Sequence, residues 1–114
     1  MTYYHFTCDH GRRGIGMAGA VRPNRAILPA LAWFTDLENP DRGQLGLTSL
    51  ILDCDRMTHR YRVTNPDHVT AWADADVPEP YRLALESADG ADPEHWFVAT
   101  RPVPVRLDFA RRLA

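Results

Sequence analysis

The sequence predicts an α+β domain: a small, mostly antiparallel (split) β-sheet with two to three short helices. Two observations carry that expectation. Short apolar or alternating runs of strand length recur along the chain, at residues 2–7, 30–35, 49–53, 59–64 and 95–107. Helix-start signals interrupt them at Asp9, at Asn65-Pro66-Asp67 and at Pro78-Glu79-Pro80. The length of 114 residues sets the number of domains at one, spanning 1–114. A chain of that size buries roughly two thirds of its unfolded surface and needs no covalent staple.

The elements follow in order. Thr2 to Thr7 is rich in pleat-forming residues and reads as the first strand. Asp9 is a plausible N-cap of a short helix in which Ile15 and Met17 supply apolar contact and Gly19 the stop. Val21 to Asn24 is extended and enters a turn at Pro23-Asn24. Ala30 to Thr35 is a buried strand. Asp36 to Thr48 has no periodicity, and a loop of that length is usually functional or mobile. Ser49 to Asp53 is a strand, Cys54 to Thr58 a turn, and His59 to Thr64 a half-exposed strand paired with the one before it.

Asn65-Pro66-Asp67 then opens a helix, with Val69 and Trp72 three apart on its core face. Pro78-Glu79-Pro80 opens another, in which Tyr81, Leu83, Ala84 and Leu85 pack. His95 to Thr100 is a strand. Val103 to Leu107 is an edge-like strand, because Pro102 and Pro104 cannot donate ladder bonds. Ala110 to Ala114 is a frayed helical tail. There is no internal repeat.

Composition narrows the function classes. No run of about 18 apolar residues is present, so no membrane span is expected. The N-terminus lacks a basic flank and a long apolar stretch, so no signal peptide and a cytoplasmic location are expected. All 13 basic residues are arginine, which GC-rich coding explains most simply. Each is nonetheless a planar donor suited to carboxylate or phosphate. The net charge of −2 argues against a general nucleic-acid sleeve and leaves room for a local arginine patch. Cys8 and Cys54 read as reduced, small buried hydrophobes.

Several constellations could carry chemistry. His5 lies mid-way along the first strand, and Thr7, Asp9 and His10 cluster at the strand's end, where a pocket would open. A strand histidine is also commonly structural, hydrogen-bonding a neighbour. His5, Cys8, His10, Cys54 and His59 offer zinc-type ligands but no CxxC pair, and His5 and Cys8 point to opposite faces of a regular strand. Cys8 with His10 or His59 is a weak candidate nucleophilic pair, since Asp9 would raise the thiol pKa. Trp72 and Trp96 are core residues. Val103-Pro104-Val105 is an exposed edge that either recruits a partner strand or is guarded by its prolines.

Tyr4-His5-Phe6-Thr7, the Gly-rich helix from Gly14 to Gly19, and Trp33-Phe34-Thr35 together resemble the opening of the ADP-ribosyltransferase fold. That superfamily includes DarT-type DNA ADP-ribosyltransferases, diphtheria-toxin-like enzymes and RNA 2′-phosphotransferases. The likeness covers residues 3–35. It implies NAD as cofactor, with His5 on the nicotinamide-side ribose and Trp33 or Phe34 stacked on the nicotinamide. Thr7, Thr35 and Arg12 would complete the cofactor contacts. It implies a catalytic glutamate near the start of a late strand, a position Glu94 occupies, with Asp92 or Glu86 as substitutes. Arg12, Arg13, Arg22 and Arg25 would meet phosphates. An RNA 2′-phosphotransferase-like site would instead use His5 and His10 with Arg12 or Arg60.

Two readings of function therefore stand side by side. One is an NAD-binding ADP-ribosyltransferase-like domain, active or degenerate, that modifies a protein or nucleic-acid acceptor. The other is a non-catalytic small protein of phage or plasmid type that binds a host protein through the Asp36–Thr48 loop and the proline-rich edge.

Overall fold

The computed structural model describes residues 1–24, 30–46 and 57–108. The expected strand Ser49–Asp53, Cys54, Arg25, the C-terminal helical tail and the side chain of His10 lie outside what is described. Within it the chain is α+β and strand-rich. The strands are β1 (Tyr4–Thr7), β2 (Ala20–Val21), β3 (Ala32–Thr35), β4 (His59–Val63), β5 (Thr70–Ala71), β6 (Trp96–Ala99) and β7 (Val103–Leu107). The helices are α1 (Asp9–Ala18) and α2 (Glu79–Glu86), with short 3₁₀ turns at Trp72–Asp74 and Pro93–His95.

Every described pairing is antiparallel. The strands form one curled, hydrogen-bonded order, β2-β7-β4-β1-β3-β6-β5, so the described sheet is continuous rather than split. β1 lies at its centre. The register His5↔Tyr61 on one side and Tyr4↔Thr35 on the other fixes which side chains share a face. On the α1 face, Phe34, Tyr61, Phe97, Ala99 and Val103 bury against Ile15 of the helix. On the opposite face, Trp72, Trp96 and Val98 form one cluster with Trp33 against it, and Tyr4, Phe6 and Met57 form another.

α1 begins directly after β1, with Cys8 as the residue before its first turn and Asp9 inside it. The carboxylate therefore sits at the positive end of the helix without capping it by a side-chain hydrogen bond. The helix stops at Gly19, whose φ of 68° is left-handed and whose N–H returns to the Ile15 carbonyl. Gly11 sets how closely α1 approaches the sheet. A Cβ there would lie 2.0 Å from Oγ1 of the buried Thr7.

Four expectations are corrected. The segment after Asn65-Pro66-Asp67 is not an α-helix. Asp67 N–H donates to Oδ1 of Asn65 and Val69 N–H to the Pro66 carbonyl, closing one turn, after which the chain enters β5 and a 3₁₀ turn. The side chain of Asn65 thus makes a local turn that competes with helix propagation. Trp72 is nevertheless in the core, as expected.

β4 is not exposed on alternate residues. It is flanked by β1 and β7; its first three residues, His59, Arg60 and Tyr61, are buried, while Arg62 is exposed and Val63 partly so. Arg60 is accommodated there because its guanidinium meets the Asp108 carboxylate at 2.6 Å and the Glu38 carbonyl at 2.7 Å, over the Tyr4 ring. β7 is not the outermost strand, since β2 pairs with its first two residues, Val103 and Pro104. Pro104 is tolerated because its carbonyl alone is used, accepting from Thr64 N–H.

α2 exists where expected, but Tyr81, Leu83 and Leu85 do not pack. They are 45%, 60% and 40% exposed. The helix docks instead through polar side chains one turn apart. Arg82 donates to the carbonyls of Trp72 and Ala75 and lies over the Trp72 ring, and Glu86 accepts from the Trp72 indole N–H at 2.9 Å.

Candidate functional site

The sequence-predicted site residues divide between the two faces of the sheet. His5 faces α1, and its ring lies 5.8 Å from that of Phe34. Its Nδ1–H donates to the Trp33 carbonyl at 2.7 Å, which orients the imidazole and places the proton on that nitrogen. Trp33 therefore meets His5 only through its backbone. Its indole lies on the opposite face, with ring centroids 5.1 Å from Trp72 and 5.9 Å from Trp96. Of the two aromatics expected beside the imidazole, Phe34 is the one that shares its face.

Thr7 and Thr35 are buried and serve the backbone framework. Thr7 lies beneath Gly11, and Thr35 accepts from the Leu37 N–H at 3.1 Å. Glu94 lies in the 3₁₀ turn before β6 with its side chain 79% exposed. His5, Trp33 and Glu94 thus do not line a common hollow among the described cavities.

What the fold does assemble is a groove along α1. One cavity of about 290 Å³ opens between α1 and the β4–β7 ladder, lined by Arg12, Ile15, Gly16, Gly19, Tyr61, Val105 and Leu107. A second, shallower hollow of about 640 Å³ adjoins it, lined by Asp9, Arg12, Arg13, Gly16 and Met17. Arg12 and Gly16 belong to both. Gly16 leaves the helix surface open between them, since nothing would touch a Cβ there.

The electrostatics of the groove are mixed. Burial raises the pKa of Tyr61, and the nearby Arg12 guanidinium partly offsets the rise. The phenol is therefore neutral at physiological pH. Asp9 pairs with Nε2 of the buried His59, its pKa is lowered by that hydrogen bond, and Arg12 and Arg13 add to the effect. The groove offers two arginines, a phenol and an ionised carboxylate beside an apolar floor of Ile15, Val105 and Leu107. That combination suits a flat apolar group carrying an anionic tail.

The Asp36–Gly46 loop closes over a different part of the molecule. Asp41 and Gln44 exchange backbone-to-side-chain hydrogen bonds at 3.0 and 2.9 Å. The Gln44 carbonyl accepts from the Trp96 indole N–H at 2.6 Å and from the Asp92 N–H at 3.2 Å. Asp36 accepts from His95 Nδ1 at 2.7 Å and raises the pKa of that imidazole, with Asp92 and Glu94 contributing. Sequence reasoning missed His95, Asp36 and Gln44. The only signal is the length of the Asp36–Thr48 stretch, which on sequence grounds is assigned to contact with a host protein and not to these side chains.

Of the zinc-type set, His5 and His59 are committed to the Trp33 carbonyl and to Asp9. Compared with known proteins, the chain matches no family model, no curated protein and no solved structure. Among the described residues no helix is long and apolar enough to cross a membrane.

Proposed function

We propose that this chain is a nucleotide-binding domain of the ADP-ribosyltransferase-like kind, with NAD taken into the groove along α1. The observation that carries the reading is Arg12, which lines the 290 Å³ cavity together with Tyr61 and also lines the neighbouring hollow. A cavity of that size accepts one nucleoside half of a dinucleotide. Arg12 and Arg13 then meet the diphosphate bidentately, and the second half lies along the shallower hollow. His5, cross-strand neighbour of Tyr61, supports the floor of the site with Phe34. The resemblance implies strand, helix, strand; here the two-residue β2 comes between α1 and β3.

In this reading the carboxylate standing in the groove is Asp9 rather than Glu94. Transfer to a protein or nucleic-acid acceptor would pass through an oxocarbenium-like state, which an ionised carboxylate stabilises. Calorimetry with NAD tests the binding. Saturable heat with wild type and at least a tenfold loss in Arg12→Ala are expected. No heat, or heat indifferent to Arg12→Ala, would remove the reading. NAD turnover compared between wild type, Asp9→Asn and Glu94→Gln separates an active transferase from a binding relic.

A second reading, a non-catalytic protein that binds a host protein, is favoured by the exposed Tyr81, Leu83 and Leu85 of α2. A stoichiometric host partner retained by His5→Ala and lost by Leu83→Ser would support it.

A further inference from the structure

The structure assigns a divalent-metal site to Asp92, Glu94 and His95, built by the Asp36–Gly46 loop. It uses none of the residues of the α1 groove, so it stands or falls apart from the nucleotide reading. Among the described residues these three side chains offer one ligand atom each, all within 4.8 Å of one another. His95 Nε2 lies 3.9 Å from Asp92 Oδ2 and 3.7 Å from Glu94 Oε1. Those separations are too long for hydrogen bonds. They are close to the spacing of ligands around one ion, about 3.4 Å when each bond is about 2.1 Å. The exposed Glu94 carboxylate can swing to close the remainder.

The argument rests as much on what lies behind the ligands. A metal-binding histidine characteristically donates its other ring N–H to a carboxylate, which fixes the tautomer and turns the free nitrogen to the ion. His95 does so, with Nδ1 bound to Asp36 at 2.7 Å. Asp92 is supported likewise. Gln44 Nε2 donates to its Oδ2 at 3.4 Å, and the Asp92 N–H is held by the Gln44 carbonyl at 3.2 Å. The 3₁₀ turn Pro93–His95 brings Asp92 and His95, three residues apart, to one side, with the exposed Glu94 between them. Both backing groups, Asp36 and Gln44, come from the described Asp36–Gly46 stretch.

One imidazole and two carboxylates suit a first-row divalent ion of the zinc, manganese or ferrous kind, and disfavour copper(I), which selects thiolate and thioether. Three protein ligands leave at least one position for water or a substrate oxygen. Because Nε2 must be unprotonated to bind, affinity rises with pH through the imidazole range.

The test uses Zn²⁺ alone on the full chain, followed by calorimetry and by the ¹⁵N shift of the His95 ring. One equivalent bound, with Nε2 as the shifted nitrogen, is expected. Glu94→Gln, whose exposed side chain the fold does not require, is expected to weaken binding at least tenfold. Asp36→Asn is expected to weaken it about 10- to 100-fold by releasing the ring from its orientation. His95→Gln is expected to abolish it. Binding that survives both Glu94→Gln and His95→Gln, or no saturable binding below millimolar Zn²⁺, would overturn the assignment.

Discussion

Gly11→Ala is the substitution that probes most sharply how α1 is seated on the sheet. In an exposed helix interior, replacing Gly by Ala stabilises by about 1 kcal/mol. Here the new methyl would lie 2.0 Å from Thr7 Oγ1 and 3.3 Å from Thr7 Cβ. Thr7 is buried and β-branched, so its χ1 is stiff and its hydroxyl cannot retreat freely. Either the threonine leaves its rotamer, at about 0.5–1.5 kcal/mol, or the helix lifts and loses contact along Ile15. Overpacking of this kind costs about 1–3 kcal/mol. The clash outweighs the propensity gain, and a net loss of about 1–2 kcal/mol is expected. Urea unfolding followed by tryptophan fluorescence reads the change. Thr7→Ala removes the clashing oxygen, so the double variant should recover about 1 kcal/mol relative to additivity. Stabilisation by Gly11→Ala, or the same loss with and without the Thr7 hydroxyl, would refute the close approach of α1 and with it the shape of the groove.

Two further substitutions test the framework. Arg60→Leu removes the ion-pair partner of the largely buried Asp108 carboxylate and the donor to the Glu38 carbonyl, and is expected to cost about 3–5 kcal/mol. A drop in Tm of more than about 10 °C should follow, only partly recovered in Arg60→Lys because an ammonium cannot reproduce the fork; an unchanged Tm would contradict it. Asp9 has a folded-state pKa below its unfolded one, so its pairing with His59 stabilises above the ordinary carboxylate range and is lost as pH falls through the lowered value. Asp9→Asn should therefore flatten the acid limb of the stability profile while changing little at the pH where both forms are compared as neutral amide and protonated acid. An acid limb identical to wild type would argue against the pair.

The parts of the fold legible in the sequence are those where local chemistry and tertiary demand agree. β1, α1 and β3 carry strand formers, a glycine stop and a buried apolar run. Each lands where it is expected, within two residues. Failures occur where a polar group takes a role that periodicity reserves for apolar ones. α2 docks by Arg82 and Glu86, so its leucines point outward, and nothing in the spacing of Tyr81, Leu83 and Leu85 says so. β4 alternates in sequence, yet His59, Arg60 and Tyr61 are buried in succession, because Arg60 has a carboxylate partner inside. The segment from Asn65 fits a helix by composition, but an asparagine side chain closes a turn first.

The candidate site was legible in part for a similar reason. That His5 and an aromatic would be neighbours follows from adjacent strands. Which aromatic, Trp33 or Phe34, depends on the Tyr4↔Thr35 register, and a slip of one residue exchanges the two faces. The register is set by the packing of α1 and of the tryptophan cluster on opposite sides, which no single segment encodes. Arg12 was singled out as a phosphate contact and does stand in the groove. Tyr61, which lines the same cavity, comes from a strand far away in sequence and gives no local signal.

The proposed seat of a nucleotide along α1 is open to backbone NMR during titration with NAD. Saturable shifts at Arg12, Gly16, Tyr61 and Leu107, absent in Arg12→Ala, are expected. Shifts confined to α2 or to residues 92–95, or none at all, would contradict it.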